Sequence, residues 1–297
     1  MSAVVASSPE QISTGVRRRK QRASIARVLL LAATSFSIFA LAVLLWTIVD
    51  RGWSWISWDL ITNTASRRPA RAGLNNALLG TIWVISLTAI IAFPIGVGAA
   101  IFLEEYASQN RLSKIIQINI ANLAGVPSVV YGLLGLGIFV ELLDLGRVVL
   151  AGALTMALLS LPVIIIASQE SLRSVPLSLR QAAYGVGATR WQVVRHHVLP
   201  AAIPGILTGT ILAVSRAIGE TAPLLVVGAA GFISTKPNSF FDGYTVLPVQ
   251  IYRWTGLAQD EFKNGLAPAG IIVLLAVLLF MNSFAIVLRQ RFSARNE

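Results

Sequence analysis

The sequence predicts an all-α, polytopic membrane protein with six transmembrane helices. Three observations carry this. Hydrophobic residues make up 55% of the 297 positions and charged residues only 12%, about half the charge of a soluble domain. Six apolar runs are long enough to cross the roughly 30 Å of bilayer hydrocarbon. The runs are also continuous, without the alternation of a membrane β-barrel, which leaves helices, whose backbone satisfies itself in lipid.

Residues 1–27 form a basic N-terminal tail. Its first sixteen residues are polar and small, the composition of a disordered lead. Arg17, Arg18, Arg19, Lys20, Arg22 and Arg27 follow. The first apolar run, Val28 to Val49 in a helix assigned to 28–50, is too long for a signal-peptide core. No small-residue cleavage site follows it, so it is a retained helix. An outer loop covers 51–73, and a core of five further helices covers 74–288. The second span is Leu74 to Leu103, with Pro94, Gly96 and Gly98. The third is Ile115 to Val140, interrupted by Gly125-Val-Pro-Ser-Val-Val-Tyr-Gly132. The fourth is Val148 to Ala167, the fifth Ile203 to Ala230 and the sixth Ala267 to Leu288, followed by a tail at 289–297. Two segments outside the spans are long enough to hold structure. One is an inner loop over 168–200. The other is an outer loop over 231–266, apolar and aromatic enough to fold back on the membrane surface.

Six spans place both termini on one side. With the N-terminus inside, the inner segments carry fifteen Lys and Arg and the outer ones eight, the bias expected of inner loops. The outer cluster Arg67, Arg68, Arg71 runs against it. The net charge of +11 lies mostly beside the apolar runs, so lipid head groups and topology explain it better than nucleic acid. There are no cysteines, which excludes disulfides and thiolate metal sites. The only histidines, His196 and His197, are adjacent and diverge on a helix, a poor metal pair. No cofactor is expected.

The strongest local signal is Arg216-Ala-Ile-Gly-Glu-Thr-Ala-Pro-Leu-Leu225, two full charges in the fifth apolar run. Each mid-membrane charge costs roughly 2.5–3.5 kcal/mol on insertion scales. Arg216 and Glu220 are one helical turn apart on one face, so the pair faces protein or a wet path. Thr221 either donates to a ligand or caps its own helix. Pro223 predicts a kink. Ser128 and Tyr131 put two hydroxyls at the break in the third span, where Tyr131 either lines the path or packs with its hydroxyl satisfied. Gly205 and Gly209 have the spacing of close helix packing.

The inner loop has a second pattern. Pro176 with Leu177, Leu179, Ala182 and Ala183 predicts a short amphipathic helix. Gly185 and Gly187 end it, and a second helical piece from about Arg190 leads into Leu199-Pro200. Gln181-Ala182-Ala183, Gly187 after three residues, and Leu199-Pro200 after eleven more resemble the EAA loop of importer permeases of the ATP-binding-cassette class. In the family pattern Glu stands where this chain has Gln181, and Ile where it has His197. With Phe93-Pro-Ile-Gly96, Gly125 to Gly132, Arg216 to Leu225 and Leu247-Pro-Val-Gln-Ile-Tyr252, the resemblance is to the PstA-type permeases of bacterial phosphate importers, over about residues 74–292.

The resemblance implies a type I importer permease fold in the bacterial inner membrane, with both termini cytoplasmic. It implies an external phosphate-binding protein, a second homologous permease subunit and a pair of ATPase subunits that dock on Gln181, Ala182, Ala183, Gly187, Leu199 and Pro200. It implies a pathway through Arg216, Glu220, Thr221, Ser128 and Tyr131. The chain would then be a permease and not an enzyme, because it has no nucleotide-binding Gly-x4-Gly-Lys-Ser/Thr run. Arg suits phosphate oxygens with permanently charged, planar donors; Glu220 then holds Arg216 in place, or switches between it and another cation as the pore opens, or forms a static pair that only fixes helix packing. Permeation of sulfate or molybdate is the alternative within transport. An intramembrane enzyme using Glu220 as acid or base is the alternative from another class. That enzyme lacks the partner groups such chemistry needs.

Overall fold

A computed structural model describes residues 9–108, 110–229 and 231–293. Residues 1–8 and 294–297, the side chains of the basic run Arg17–Arg22, and Ala230 at the end of the fifth span lie outside the described residues. The chain divides into two compact units, residues 1–50 and 51–297. The first unit is the helix α1 (Pro9–Gly52), whose apolar side chains, Leu29, Leu30, Phe36 and Trp46 among them, are exposed. Helix begins at Pro9, so from there on the disordered lead over 1–16 is corrected. The Ala23–Trp55 stretch is long and apolar enough to span a membrane.

The second unit begins with the short α2 (Trp58–Thr62), capped by Ser57, whose hydroxyl accepts from Leu60 N. Then come α3 (Asn75–Ile101), extended by a π-helical turn over Phe102–Tyr106, and α4 (Arg111–Ala124). The next elements are α5 (Ser128–Gly135), continued as π-helix to Leu142, and α6 (Val149–Arg173). The coupling-loop region folds as α7 (Leu177–Gly185) and α8 (Arg190–Val193), the latter passing through a π-helical turn into α9 (Leu199–Gly219). The remaining elements are α10 (Ala222–Leu224), α11 (Leu247–Thr255) and α12 (Ala267–Ser293). Among the described residues β-structure is confined to one isolated bridge, Val148 with Gly243.

Five helices are individually long and apolar enough to span a membrane. A sixth crossing exists if α4 and α5, bent 103° at Gly125–Pro127, form one span. The contacts at the two ends of the unit decide that they do. At one end Asn76 Nδ2 donates to Ile233 O, Leu247 N donates to Thr81 Oγ1, and Val149 N donates to Asp242 O. The N-termini of α3 and α6 therefore share an end with the 231–247 segment. At the other end Glu104 pairs with Arg173, joining the C-termini of α3 and α6 beside α7. We call the α7 end inner. The 107–147 segment must pass from inner to outer, so α4–α5 is a broken span and not a re-entrant loop. The 199–231 segment makes the same passage. Helix α12 returns inward, where Arg289 Nη1 donates to Thr208 Oγ1 at 2.9 Å.

Close approach between the helices explains several small residues. A Cβ at Gly209 would lie 2.3 Å from Ala167 Cβ, and one at Gly205 would lie 2.6 Å from Ser171 Oγ. The small-residue stripe of α9 thus packs on α6 within this chain. The outer loop departs from expectation. Instead of lying on the membrane surface it wedges inward, with Tyr244, Thr245, Val246, Leu247 and Trp254 buried against α3, α6 and α12. Thr245 O sits where a Cβ on Gly80 would be. Burial raises the pKa of the Tyr244 phenol. Half-buried Asp242 closes a turn, its Oδ2 accepting from the Asn238 and Ser239 amides at 2.7 and 2.9 Å.

Candidate functional site

The central feature is a pair of helix breaks at the same depth. The first lies between α4 and α5, where Pro127 cannot continue the α4 helix and instead opens the next one. The second lies between α9 and α10. It comes earlier than Pro223 predicts. Helix α9 ends at Gly219, Glu220 is extended (φ −73, ψ 124), and Pro223 falls in the first turn of α10, where a proline fits without loss. The two breaks meet. A Cβ on Gly132 of α5 would lie 2.8 Å from Pro223 Cα, so only glycine allows this contact.

Arg216 lies in the last turn of α9, beside this junction. Its Nε donates to Glu220 Oε1 at 3.2 Å. The extended backbone at Glu220 keeps the pair together although the helix has already ended. The Arg216 side chain is 61% exposed on the single chain and that of Glu220 only 17%. The bond uses Nε alone, which leaves the two terminal guanidinium nitrogens without a partner among the described residues. Arg216 borders a small cleft with Tyr131, Leu159 and Ser160. Ser160 is near the middle of α6, which runs from Val149 to Arg173, so the charge stands level with the middle of that helix.

The other residues expected on the pathway separate. Tyr131 is 3% exposed and its hydroxyl donates to Leu123 O at 2.8 Å. It staples the α4–α5 bend, so of its two readings the structure favours packing with a satisfied hydroxyl. Ser128 is half-buried at the start of α5. Thr221 is half-buried, precedes α10 without capping it through its side chain, and reaches Gly219 O at 3.5 Å.

The second candidate region is the inner helix-turn-helix. Pro176 precedes α7, and Val186 and Gly187 turn the chain, with Gly187 at φ +84, a left-handed conformation that favours glycine. Thr189 and Gln192 then form a reciprocal capping box that starts α8. Ala183 is buried in a cluster with Leu103, Leu172, Val175, Val193 and Val198, while Gln181 and Ala182 face outward. Leu199 and Pro200 are half-buried where the helix enters the bundle. The outward face presents Leu177, Tyr184, Val186 and Trp191, all exposed. An apolar face of this kind on a projecting helix is suited to docking.

Four residues that the sequence reading missed hold this element in place. Glu104 takes a bidentate contact from Arg173, with Oε1 to Nη2 at 2.6 Å and Oε2 to Nε at 2.9 Å, and Oε1 also accepts from Gln169 Nε2 at 3.0 Å. Glu105, whose side chain is 6% exposed, lies 2.7 Å from Arg180 Nη1 of α7, close but not aligned as a hydrogen bond. Arg180 Nη2 donates to Leu172 O at 2.7 Å. Sixty to eighty residues separate the carboxylates from their arginines, so no local spacing rule finds them. Adjacent acidic residues at the end of an apolar span were the only visible sign. Among the described residues no group of three or more His, Cys, Asp or Glu is placed to hold a metal ion.

Comparison with known proteins gives this geometry its context. Residues 92–294 match the family described as binding-protein-dependent transport system inner membrane component. The chain is 32% identical over 278 residues to the phosphate transport system permease protein PstA 1 of Mycobacterium tuberculosis, covering 92% of this chain and 90% of that protein. It is 34% identical over 274 residues to the phosphate transport system permease protein PstA of Yersinia pestis, covering 91% and 90%. Among solved structures its fold is similar to a chain of a bacterial ABC transporter involved in the import of the acidic polysaccharide alginate. That match has a TM-score of 0.62 at 17% identity and covers 95% of this chain and 99% of that one. A second likeness is to the inward-facing MetNI methionine ABC transporter, with a TM-score of 0.57 at 15% identity over 72% and 93%. At these identities the likeness is one of fold. The chain belongs to the family of binding-protein-dependent transport system inner membrane components, as a PstA-type permease.

Proposed function

We propose that this chain is the membrane-spanning permease subunit of an ATP-driven phosphate importer. It forms half of a translocation pathway with a second homologous permease subunit. An external binding protein delivers phosphate, and a pair of ATPase subunits docks on the inner loop. The observation that carries the pathway reading is Arg216. A guanidinium exposed at the middle of the membrane, with two nitrogens unused, does not face lipid, where it is costly. It faces a water-filled path or the second subunit. A half-satisfied guanidinium there offers planar, permanently charged donors to oxyanion oxygens.

Glu220 repels the anion directly and acts by holding Arg216 in place. Thr221 and Ser128 stand at the two backbone breaks, where unwound backbone is tolerated only if it is buried in protein or lines a cavity. Tyr131 contributes by fixing the bend. The α7 face around Gln181 and Ala182 is the ATPase contact, and Gly187 supplies its tight turn. The Glu104–Arg173 and Glu105–Arg180 contacts tie that face to α3 and α6, so a push on α7 moves the bundle. The N- and C-termini lie in the cytoplasm, consistent with the Lys and Arg bias. The chain itself hydrolyses nothing.

The test is ATP-driven uptake of labelled phosphate into proteoliposomes holding this chain with its partner subunits and binding protein, with sulfate and molybdate as competitors. ATP-dependent phosphate uptake that ignores both competitors supports the reading. Transport of another oxyanion instead of phosphate overturns the substrate.

A further inference from the structure

The outer arginines have no role in the pathway through Arg216, and Arg67, exposed on the outer loop, stands beside an aromatic ring. Its guanidinium stands over the Phe232 ring, 5.4 Å from the centroid. The guanidinium of Arg253, on α11, stands over the same ring, also at 5.4 Å. The two cations therefore lie no more than twice that distance apart. Neither has a carboxylate within ion-pair distance among the described residues. One ring attracts each cation only weakly at exposed sites. It does not neutralise the pair, so the positive field between them stands uncompensated.

Both arginines border an outer cavity of about 740 Å³, lined also by Ser66, Phe232, Gln250 and Trp254. Gln250 is 3% exposed, and its Oε1 has no hydrogen-bond partner. That oxygen is itself buried, so Gln250 forms part of the packed floor of the cavity. Arg253 Nη1 is anchored on Gly231 O at 2.9 Å, and burial lowers its pKa. Desolvation of this kind strengthens the attraction for an anion. The ligand that suits two guanidiniums is an anion with several acceptor oxygens, such as phosphate.

We propose that the cavity between Arg67, Arg253 and Gln250 is an outer oxyanion site that takes inorganic phosphate before it enters the membrane. Arg67 and Arg253 supply the charge and the N–H donors for the phosphate oxygens. This inference rests on the phosphate reading above.

The experiment uses the complete permease–ATPase complex in lipid nanodiscs without the binding protein. Equilibrium binding of labelled inorganic phosphate is measured against sulfate, in an Arg216→Ala background that removes the mid-membrane cation. The Arg216→Ala complex is expected to bind phosphate still. Adding Arg67→Gln with Arg253→Gln is expected to weaken it at least tenfold, whereas Arg67→Lys with Arg253→Lys retains part of it. Phosphate binding absent from the Arg216→Ala complex, or unchanged by the double glutamine variant, overturns the proposal. In a parallel assay with the binding protein added, loss of its docking by the double glutamine variant with phosphate binding intact also overturns the proposal and assigns the arginines to the partner protein. If the unmodified complex imports phosphate and these outcomes fail, only the outer site is wrong. If it imports another anion, the phosphate reading itself is wrong.

Discussion

Two charged regions of this chain use the same residue types to opposite ends. At the inner end Glu104 pairs with Arg173 and accepts from Gln169, and Glu105 lies beside Arg180, which also donates to Leu172 O. Level with the middle of α6, Arg216 meets Glu220 through a single nitrogen and leaves the rest of its guanidinium exposed. The inner pairs tie α3, α6 and α7 together, although Glu105 Oε1 and Arg180 Nε make no hydrogen bond of their own. The Arg216 pair leaves most of its guanidinium open to a ligand. Exposure separates the two regions: the Arg216 side chain is 61% exposed, whereas those of Arg180 and Glu105 are 18% and 6%.

That contrast breaks most visibly at Arg216. Arg216→Ala is expected to lower phosphate uptake about 100-fold or more, since two lost charge-assisted hydrogen bonds are together worth about 3 kcal/mol or more. Assembly of the complex should survive, as the side chain packs little. Uptake in proteoliposomes with co-purification as control checks this, and normal uptake would remove Arg216 from the pathway.

The inner network should fail in the other manner. Glu105→Ala leaves Arg180 without its carboxylate, at about 3 kcal/mol, the low end for a broken buried pair because Arg180 keeps some solvent. Thermal unfolding of the complex should shift down and ATPase retention should fall with it. An unchanged melting profile would mean that the pair does not anchor α7.

Smaller effects sharpen the division. Gly187→Ala meets open space, but at φ +84 it costs about 1–2 kcal/mol of backbone strain. It should reduce phosphate moved per ATP hydrolysed. Gly185→Ala, with open space and ordinary backbone, should change nothing. Equal behaviour of the two would detach the turn geometry from coupling. Tyr131→Phe removes one hydrogen bond to Leu123 O, about 1 kcal/mol, and should leave uptake nearly intact. A loss as deep as that of Arg216→Ala would make Tyr131 a substrate contact.

Much of this was legible along the chain because it depends on local spacing. The four-residue interval from Arg216 to Glu220, the Gly185–Gly187 turn and the break at Gly125–Pro127 all appear where the residues place them. Pro223 misled for a physical reason. Proline disrupts a helix interior but suits a first turn, and only the extended Glu220 reveals which applies. The outer loop misled because its buried part, Tyr244 to Leu247, fits against Gly80 and Gly152, some 90 to 165 residues away. Aromatic content alone does not distinguish a membrane surface from a cleft between helices. The Glu104–Arg173 and Glu105–Arg180 contacts were hidden for the same reason, since their partners come together only when α3, α6 and α7 pack.

The most direct test of the central claim uses the absence of cysteine in this chain. A single Arg216→Cys substitution, in a complex whose partner subunits are also cysteine-free, is exposed to a small, positively charged, water-soluble thiosulfonate. The account expects rapid modification from the aqueous phase and partial recovery of phosphate uptake as the positive charge is restored. Resistance to that reagent together with labelling by a lipid-soluble maleimide would place position 216 against lipid and contradict the account.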